Sequence, residues 1–326
     1  MGCWTQTSVN EKREQIPLQA GVHAGPLARQ LLFDHAVGNI LSVHTNCCYV
    51  TFSNGRLLLL HSEYYGIIPF AIQLPNLSCP KQSLTIGMKV YCMPNSLEIP
   101  EAGLKWEISI GKDPNRKGST SWTNTATLFS ERFPGLQKLF TAVLTNGSKA
   151  GLGDLLQCLE HLRDASPCIS CQKNLFCQTA CPYIRQLLSG LQTGDHSKLL
   201  DGLEHLLGLG IGLTPSGDDF LCGFLYALLR LEHDKPSTQA LSNNILALAP
   251  THTGKISAAY LKAVADGWDF SLLDNFLQAL FSEENCSEAA DSLLQIGSSS
   301  GGEMALGILT ATVCIVHPPL IQFVSQ

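Results

Sequence analysis

The run Gly208-Leu209-Gly210-Ile211-Gly212-Leu213-Thr214-Pro215-Ser216-Gly217-Asp218-Asp219 gathers alternating glycines, two hydroxyls and two adjacent carboxylates. Alternating glycines suit neither a helix nor a strand. They read as a loop with unusual backbone angles, or one lying close to another group. A helix follows, with Thr214-Pro215 as N-cap and first-turn proline, or with Ser216 and Asp219 as a capping box, so its start is fixed to within about two residues. Free N–H groups at a helix start behind such a loop attract anions. Gly210, Gly212, Thr214, Ser216 and Gly217 are therefore candidate ligands of a phosphate, a carboxylate or a developing oxyanion. The plain alternative is a tight loop before a core helix, because neither the phosphate-loop nor the dinucleotide pattern is present. Asp218 and Asp219 would repel an anion. One can act as a cap, and the other can hold Mg²⁺ or K⁺ or orient a serine, unless both are simply favoured by the helix dipole.

The pattern recurs. Ser216-Gly217-Asp218-Asp219-Phe220-Leu221-Cys222-Gly223 aligns without gaps on Ser300-Gly301-Gly302-Glu303-Met304-Ala305-Leu306-Gly307. Each copy offers a serine, an acid three positions later, and a glycine at which a neighbouring helix can approach closely. A pseudo-symmetric pair of buried helices facing one cleft is expected, which adds Ser298, Ser299, Ser300, Gly301 and Glu303 to the candidate site. A third segment, Thr251-His252-Thr253-Gly254-Lys255-Ile256-Ser257, precedes an amphipathic helix. Thr253 and Ser257 supply hydroxyls and Lys255 a cation for an anionic guest, and His252 is a candidate proton carrier; the bland reading is a capping segment with a solvated lysine. No Ser-His-Asp pairing follows from the spacing, so no catalytic base is assigned.

Four cysteines form Cys168-x₂-Cys171-x₅-Cys177-x₃-Cys181, followed by Pro182. Thiolates so spaced suit Zn²⁺ or an iron–sulfur cluster. The middle spacer is longer than the ferredoxin pattern and a second Cys-x₂-Cys is missing, so a set of uncoordinated thiols in a loop is the alternative.

With these motifs in view, the run through Gly223 and the later Ser299-Ser300-Gly301 copy resemble the AllH-like family, formerly described as a domain of unknown function. The resemblance runs from about Gly38 to the C-terminus. It implies a subunit of a bacterial oxamate carbamoyltransferase in purine-derived nitrogen catabolism, which interconverts oxalurate plus phosphate with oxamate plus carbamoyl phosphate. It further implies a small anionic metabolite as ligand and other subunits as partners. The family pattern Thr-x-x-Ile-Ser is similar to residues 253–257. Where the family carries Gly-His-Ser-Ser-Gly and then an aspartate, this chain has Gly297-Ser298-Ser299-Ser300-Gly301 and then Glu303. Rival readings are a non-catalytic metabolite-binding or scaffolding subunit, and a metal- or redox-responsive protein built on the cysteines.

Composition narrows the classes. Of 326 residues, 45% are hydrophobic and only 15% charged, which calls for a large core or an extensive interface, with partner subunits or with copies of itself. A formal charge of −6 and the absence of a basic patch argue against nucleic acid. No signal segment leads the chain, and the most apolar C-terminal stretch is too short to span a bilayer, so a reducing cytoplasm is expected, with cysteines as thiols or metal ligands.

The elements that must carry the motifs form an α+β chain: a polar tail and short helix over residues 1–35, a β-rich barrel or sandwich over 36–122, and a helical domain over 123–326. Strands are predicted at 39–44, 47–52, 57–61, 67–73, 84–93 and 104–110, with an Asn54-Gly55 hairpin turn. Helices are predicted at 26–33, 136–145, 154–163, 182–191, 196–207, 215–232, 237–248, 255–266, 272–282, 287–294 and 301–316.

Overall fold

A computed structural model describes residues 23–62, 66–74, 77–79, 81–108, 133–147, 151–159, 162, 174–282 and 284–316. They fall into two compact units, residues 1–63 with 72–111, and residues 64–71 with 112–326.

The first unit is a curled antiparallel sheet, open like half a barrel. Its elements are β1 (His23–Ala24), α1 (Pro26–Phe33), β2 (Val37–Val43), β3 (Cys47–Phe52), β4 (Leu57–His61), β5 (Ala71–Gln73), β6 (Lys89–Met93), β7 (Ser96–Ile99) and β8 (Leu104–Glu107). The strand order is β1-β5-β4-β3-β2-β6-β7-β8. The hairpin between β3 and β4 turns at Asn54-Gly55 as its sequence requires: Gly55 has φ +78° and Asn54 Oδ1 accepts from the Arg56 amide. Helix α1 starts at Pro26 behind Gly25 and buries Ala28, Leu31 and Leu32 among the sheet's apolar side chains. Strand β7 escapes a sequence reading because it is only four residues long between a two-residue turn and Pro100. Its alternation is nevertheless regular, with Leu97 and Ile99 buried and Ser96 and Glu98 half-exposed. The strand expected over 84–93 begins only at Lys89, because Gly87 turns the chain with φ +94°.

The second unit is helical: α2 (Leu136–Asn146), a 3₁₀ stretch (Gly153–Cys158), α3 (Leu175–Thr193), α4 (His196–Leu206), α5 (Ser216–Leu231), α6 (Pro236–His252), α7 (Lys255–Ala265), α8 (Ser271–Ala279), α9 (Cys286–Leu294) and α10 (Ser300–Ala311), which runs on as a π turn (Thr312–Val316). Two expectations are corrected. The helix placed at 154–163 is a 3₁₀ stretch that ends at Cys158. Helix α3 starts two turns before Pro182, because Asn174 caps it by accepting from the Phe176 and Cys177 amides, and the proline is absorbed inside the helix.

Helix α5 is buried from Ser216 to Arg230, and α10 packs along it more intimately than any other helix does. The contact is made by glycine on both sides. A Cβ on Gly223 would stand 2.0 Å from the Met304 carbonyl oxygen, and a Cβ on Gly307 would stand 2.2 Å from that of Phe220. The two repeat glycines thus face each other's helix, backbone against backbone. Towards its other end α5 is fixed by buried polar groups: Arg230 reaches Asp269 at 2.6 Å, and the Tyr226 hydroxyl donates to Asp274 at 2.5 Å.

Candidate functional site

Close packing of α5 on α10 brings their N-terminal tips together. The Thr214 and Ser300 hydroxyls lie 3.2 Å apart, although 86 positions separate them in the chain. The two approaches to the tips are built alike. A Cβ on Gly217 would come within 2.0 Å of the Leu206 carbonyl oxygen at the end of α4, and one on Gly301 within 1.9 Å of that of Leu293 in α9. The Gly217 amide donates to Leu209 and the Gly301 amide to Ile296, at 2.8 and 3.0 Å. Helix, loop and helix therefore repeat as one unit, α4–α5 and α9–α10.

The acids are exchanged between the two copies. The spacing allows each copy its own capping box, but α5 is capped by Pro215 and α10 by Ser299, and neither cap's side chain accepts from a helix amide. The Asp219 carboxylate, from α5, faces the hydroxyls of Ser300 and Thr214. The Glu303 carboxylate, from α10, faces the hydroxyl of Ser216, and accepts from the Leu152 amide at 3.3 Å and the Ser299 hydroxyl at 3.4 Å. The physical reason is proximity: with glycines at the helix contact, each acid reaches a hydroxyl of the other copy, Ser300 or Ser216, as well as one beside its own helix start, Thr214 or Ser299.

Asp219 is 2% exposed and Glu303 1% exposed. Loss of hydration pushes the Asp219 carboxyl well above its ordinary range, and the neighbouring charges of Glu303 and Asp218 add to the rise against the Ser300 and Thr214 hydroxyls. Burial also raises Glu303 and Asp218, opposed in each by hydrogen-bond donors. Among the described residues no Lys or Arg forms an ion pair with any of the three. Asp219 Oδ2 has no hydrogen-bond partner among the described residues.

Asp218 is occupied differently. Its Oδ1 accepts from the Gly208 amide at 2.9 Å, and its Oδ2 takes the Thr253 hydroxyl. Ser257 lies against the same carboxylate without reaching hydrogen-bond geometry. Asp218 thereby ties the start of the glycine loop to the turn between α6 and α7. Thr253 and Ser257 join the site through this carboxylate, whereas Lys255 and His252 are exposed. The loop itself uses positive φ at Gly208, Gly210 and Gly212, and Ile211 at its crest is 80% exposed. Ser298 is exposed, while Ser299, Ser300 and Thr214 are half-exposed at the mouth.

A second shoulder was not legible as part of the site. Gly151, with φ +60°, lies so close that a Cβ there would be 1.9 Å from Glu303 Oε1 and 2.6 Å from the Ser216 hydroxyl. Its carbonyl accepts from Asn174 Nδ2 at 3.0 Å and from the Cys177 thiol at 3.6 Å. The available signal was Asn174 directly before an apolar helical run, an N-cap pattern that Pro182 obscures. Cys177 and Cys181 are thus buried one turn apart on α3 rather than in a loop. Cys168 and Cys171 lie outside the described residues. Cys158 is disulfide-bonded, so the expectation of thiols or metal ligands does not hold at that position. Among the described residues no three His, Cys, Asp or Glu side chains converge as a metal-ligand set, and no helix is long and apolar enough to cross a membrane.

Residues 206–312 match the family model described as oxamate carbamoyltransferase subunit AllH, and residues 21–115 match that of the AllH family N-terminal domain. No solved structure matches the chain.

Proposed function

The chain belongs to the AllH family, and on that premise we propose that it acts as a subunit of an oxamate carbamoyltransferase, with its paired helix tips holding a small anionic substrate. The reaction is the interconversion of oxalurate and phosphate with oxamate and carbamoyl phosphate, carried out together with the other subunits of the enzyme. In the direction of oxalurate synthesis the oxamate nitrogen attacks the carbamoyl carbon, the carbon–oxygen bond to phosphate breaks, and the proton lost from nitrogen leaves with the phosphate. Charge develops on the carbamoyl oxygen and grows on the departing phosphate, so the task is to position and stabilise anions.

The observation that supports this reading is the meeting of Thr214 and Ser300 at 3.2 Å, which makes one hydroxyl-lined mouth from two distant copies of a motif. Thr214, Ser299 and Ser300 line it with hydroxyls that turn from one another or from the carboxylates to meet a guest, with Ser216 behind them. The amides of Gly217 and Gly301 already serve loop carbonyls, so hydroxyls rather than those two amides meet the guest. In this reading Thr253 holds the floor of the loop through Asp218 with Ser257 packed beside that carboxylate, while Lys255 and Ser298 stand at its edge.

Thermal-shift titration with carbamoyl phosphate, oxamate, oxalurate and phosphate, followed by turnover assays with and without the partner subunits, tests the reading. A ligand at a hundred times its Kd adds about 2.7 kcal/mol, which for a unit of this size raises Tm by about 5–10 °C. Thr214→Val and Ser300→Ala should each abolish most of that shift. Absence of any shift and of turnover in the assembled enzyme overturns the proposal.

A further inference from the structure

We propose that Asp219 and Glu303 together hold one divalent cation of the Mg²⁺ or Mn²⁺ type at the junction of the two helix tips, where it bridges the protein to the anionic substrate. The inference deepens the proposed function and rests on it for the bridging role alone.

Three observations converge. First, the two carboxylates come from equivalent positions of the two motif copies and are interleaved with the hydroxyls of Thr214, Ser216, Ser299 and Ser300. Every side-chain donor in the junction is an oxygen, which suits a hard cation and not Zn²⁺. Second, Asp219 is 2% exposed, yet its Oδ2 has no partner among the described residues. A buried carboxylate oxygen without a donor is costly unless something outside the chain completes it. Asp218 differs: both of its oxygens are engaged, by Gly208 and Thr253. The two adjacent acids thus differ, one tying the loop with both oxygens and one facing Ser300 and Thr214 with its Oδ2 left without a donor. Third, an anionic guest at this mouth would sit over two buried acids that have no basic partner among the described residues. A divalent ion removes that repulsion and adds an attractive centre for phosphate or carboxylate oxygens. Mg²⁺ is held in this manner, by one or two carboxylates with the remaining positions filled by water and substrate phosphate.

The test uses the full chain, stripped with EDTA and dialysed, and Mn²⁺ as the probe. Loss of the free-Mn²⁺ electron paramagnetic resonance signal should report one saturable site per chain, displaced by Mg²⁺ and not by K⁺. Asp219→Asn and Glu303→Gln should each weaken binding at least tenfold, while Asp234→Asn, an exposed acid on another turn, should leave it unchanged. Circular dichroism establishes that each variant is folded, and the wild-type titration is decisive without them. No saturable Mn²⁺ binding, displacement by K⁺, or undiminished binding in a folded Asp219→Asn variant overturns the proposal. The parallel arm is carbamoyl phosphate, with and without Mg²⁺. Mn²⁺ binding without any effect of carbamoyl phosphate supports the cation and sinks its bridging role. A carbamoyl phosphate shift that needs no metal, in a chain that binds no Mn²⁺, leaves the function standing and removes the cation.

Discussion

Replacing Gly223 by alanine tests the helix contact on which the site depends. The added Cβ would lie 2.0 Å from the Met304 carbonyl oxygen, and contacts under 3.0 Å are essentially never tolerated. The obstacle is backbone, so no rotamer change relieves it. Helix α10 must withdraw by about 1 Å or more, a gap that forfeits a quarter to a half of the dispersion energy of each contact along the seam. Overpacking of this kind costs about 1–3 kcal/mol and occasionally more. For a helical unit of about 200 residues each kcal/mol lowers Tm by about 2–4 °C, so a fall of about 3–10 °C is expected by circular dichroism at 222 nm. Gly307→Ala should act similarly, because its Cβ would stand 2.2 Å from the Phe220 oxygen. The double variant should lose less than the sum of the two, since one withdrawal relieves both clashes. Single variants with Tm within 1 °C of wild type, or strictly additive losses, would refute the close-contact account.

Further consequences follow from the polar groups. Asp219 titrates above its ordinary value in the folded chain, so the folded state binds that proton more tightly than the unfolded state does. The resulting stability is complete below the unfolded pKa and fades as pH rises through the folded one. Metal-free wild type should therefore lose more Tm than Asp219→Asn between pH 4.5 and 7.5, on the order of a few degrees, in differential scanning fluorimetry; equal losses would count against it. Thr253→Val should cost about 1.5–3 kcal/mol by denaturant titration and speed proteolysis of the 208–213 loop, because Asp218 loses its side-chain donor. Arg230→Met should cost about 3–5 kcal/mol, since it leaves Asp269 and Asp274 without their buried cation, and an exposed Lys262→Met should change Tm by under a degree or two.

Much of the site was legible because it is written twice. The Ser216 and Ser300 runs, with glycine seven positions on, announced two similar helices in close contact, and Gly223 and Gly307 meet that expectation. The partner of each acid was not legible. A Ser-x-x-acid spacing is compatible with a local capping box, and only the approach of the helices decides that Asp219 turns to Ser300 and Glu303 to Ser216. Gly151 and Leu152 were invisible for a related reason: their role lies in backbone groups, which carry no side-chain signature. In the sheet, the Asn54-Gly55 turn and the apolar β3 and β4 announced themselves, whereas β7 was hidden by its length and by Pro100. The long helix α3 was misplaced because proline usually starts or ends a helix, and here the Asn174 cap and buried apolar contacts outweigh it.

The exchange of acids also bears on how the chain acquires its structure. Each tip is only partly satisfied from its own turn, and the hydroxyl and acid that complete it arrive from a segment more than eighty positions away. Helix nucleation at Ser216 or at Ser300 therefore gains little from local capping, since neither cap's side chain holds a helix amide, and both tips become fully ordered only at the moment of docking. Long loops must close before that reward is collected, which slows assembly and makes it all-or-none. A peptide spanning either helix alone should be poorly ordered at its start, and a nascent chain can finish the first tip only after the second has been synthesised.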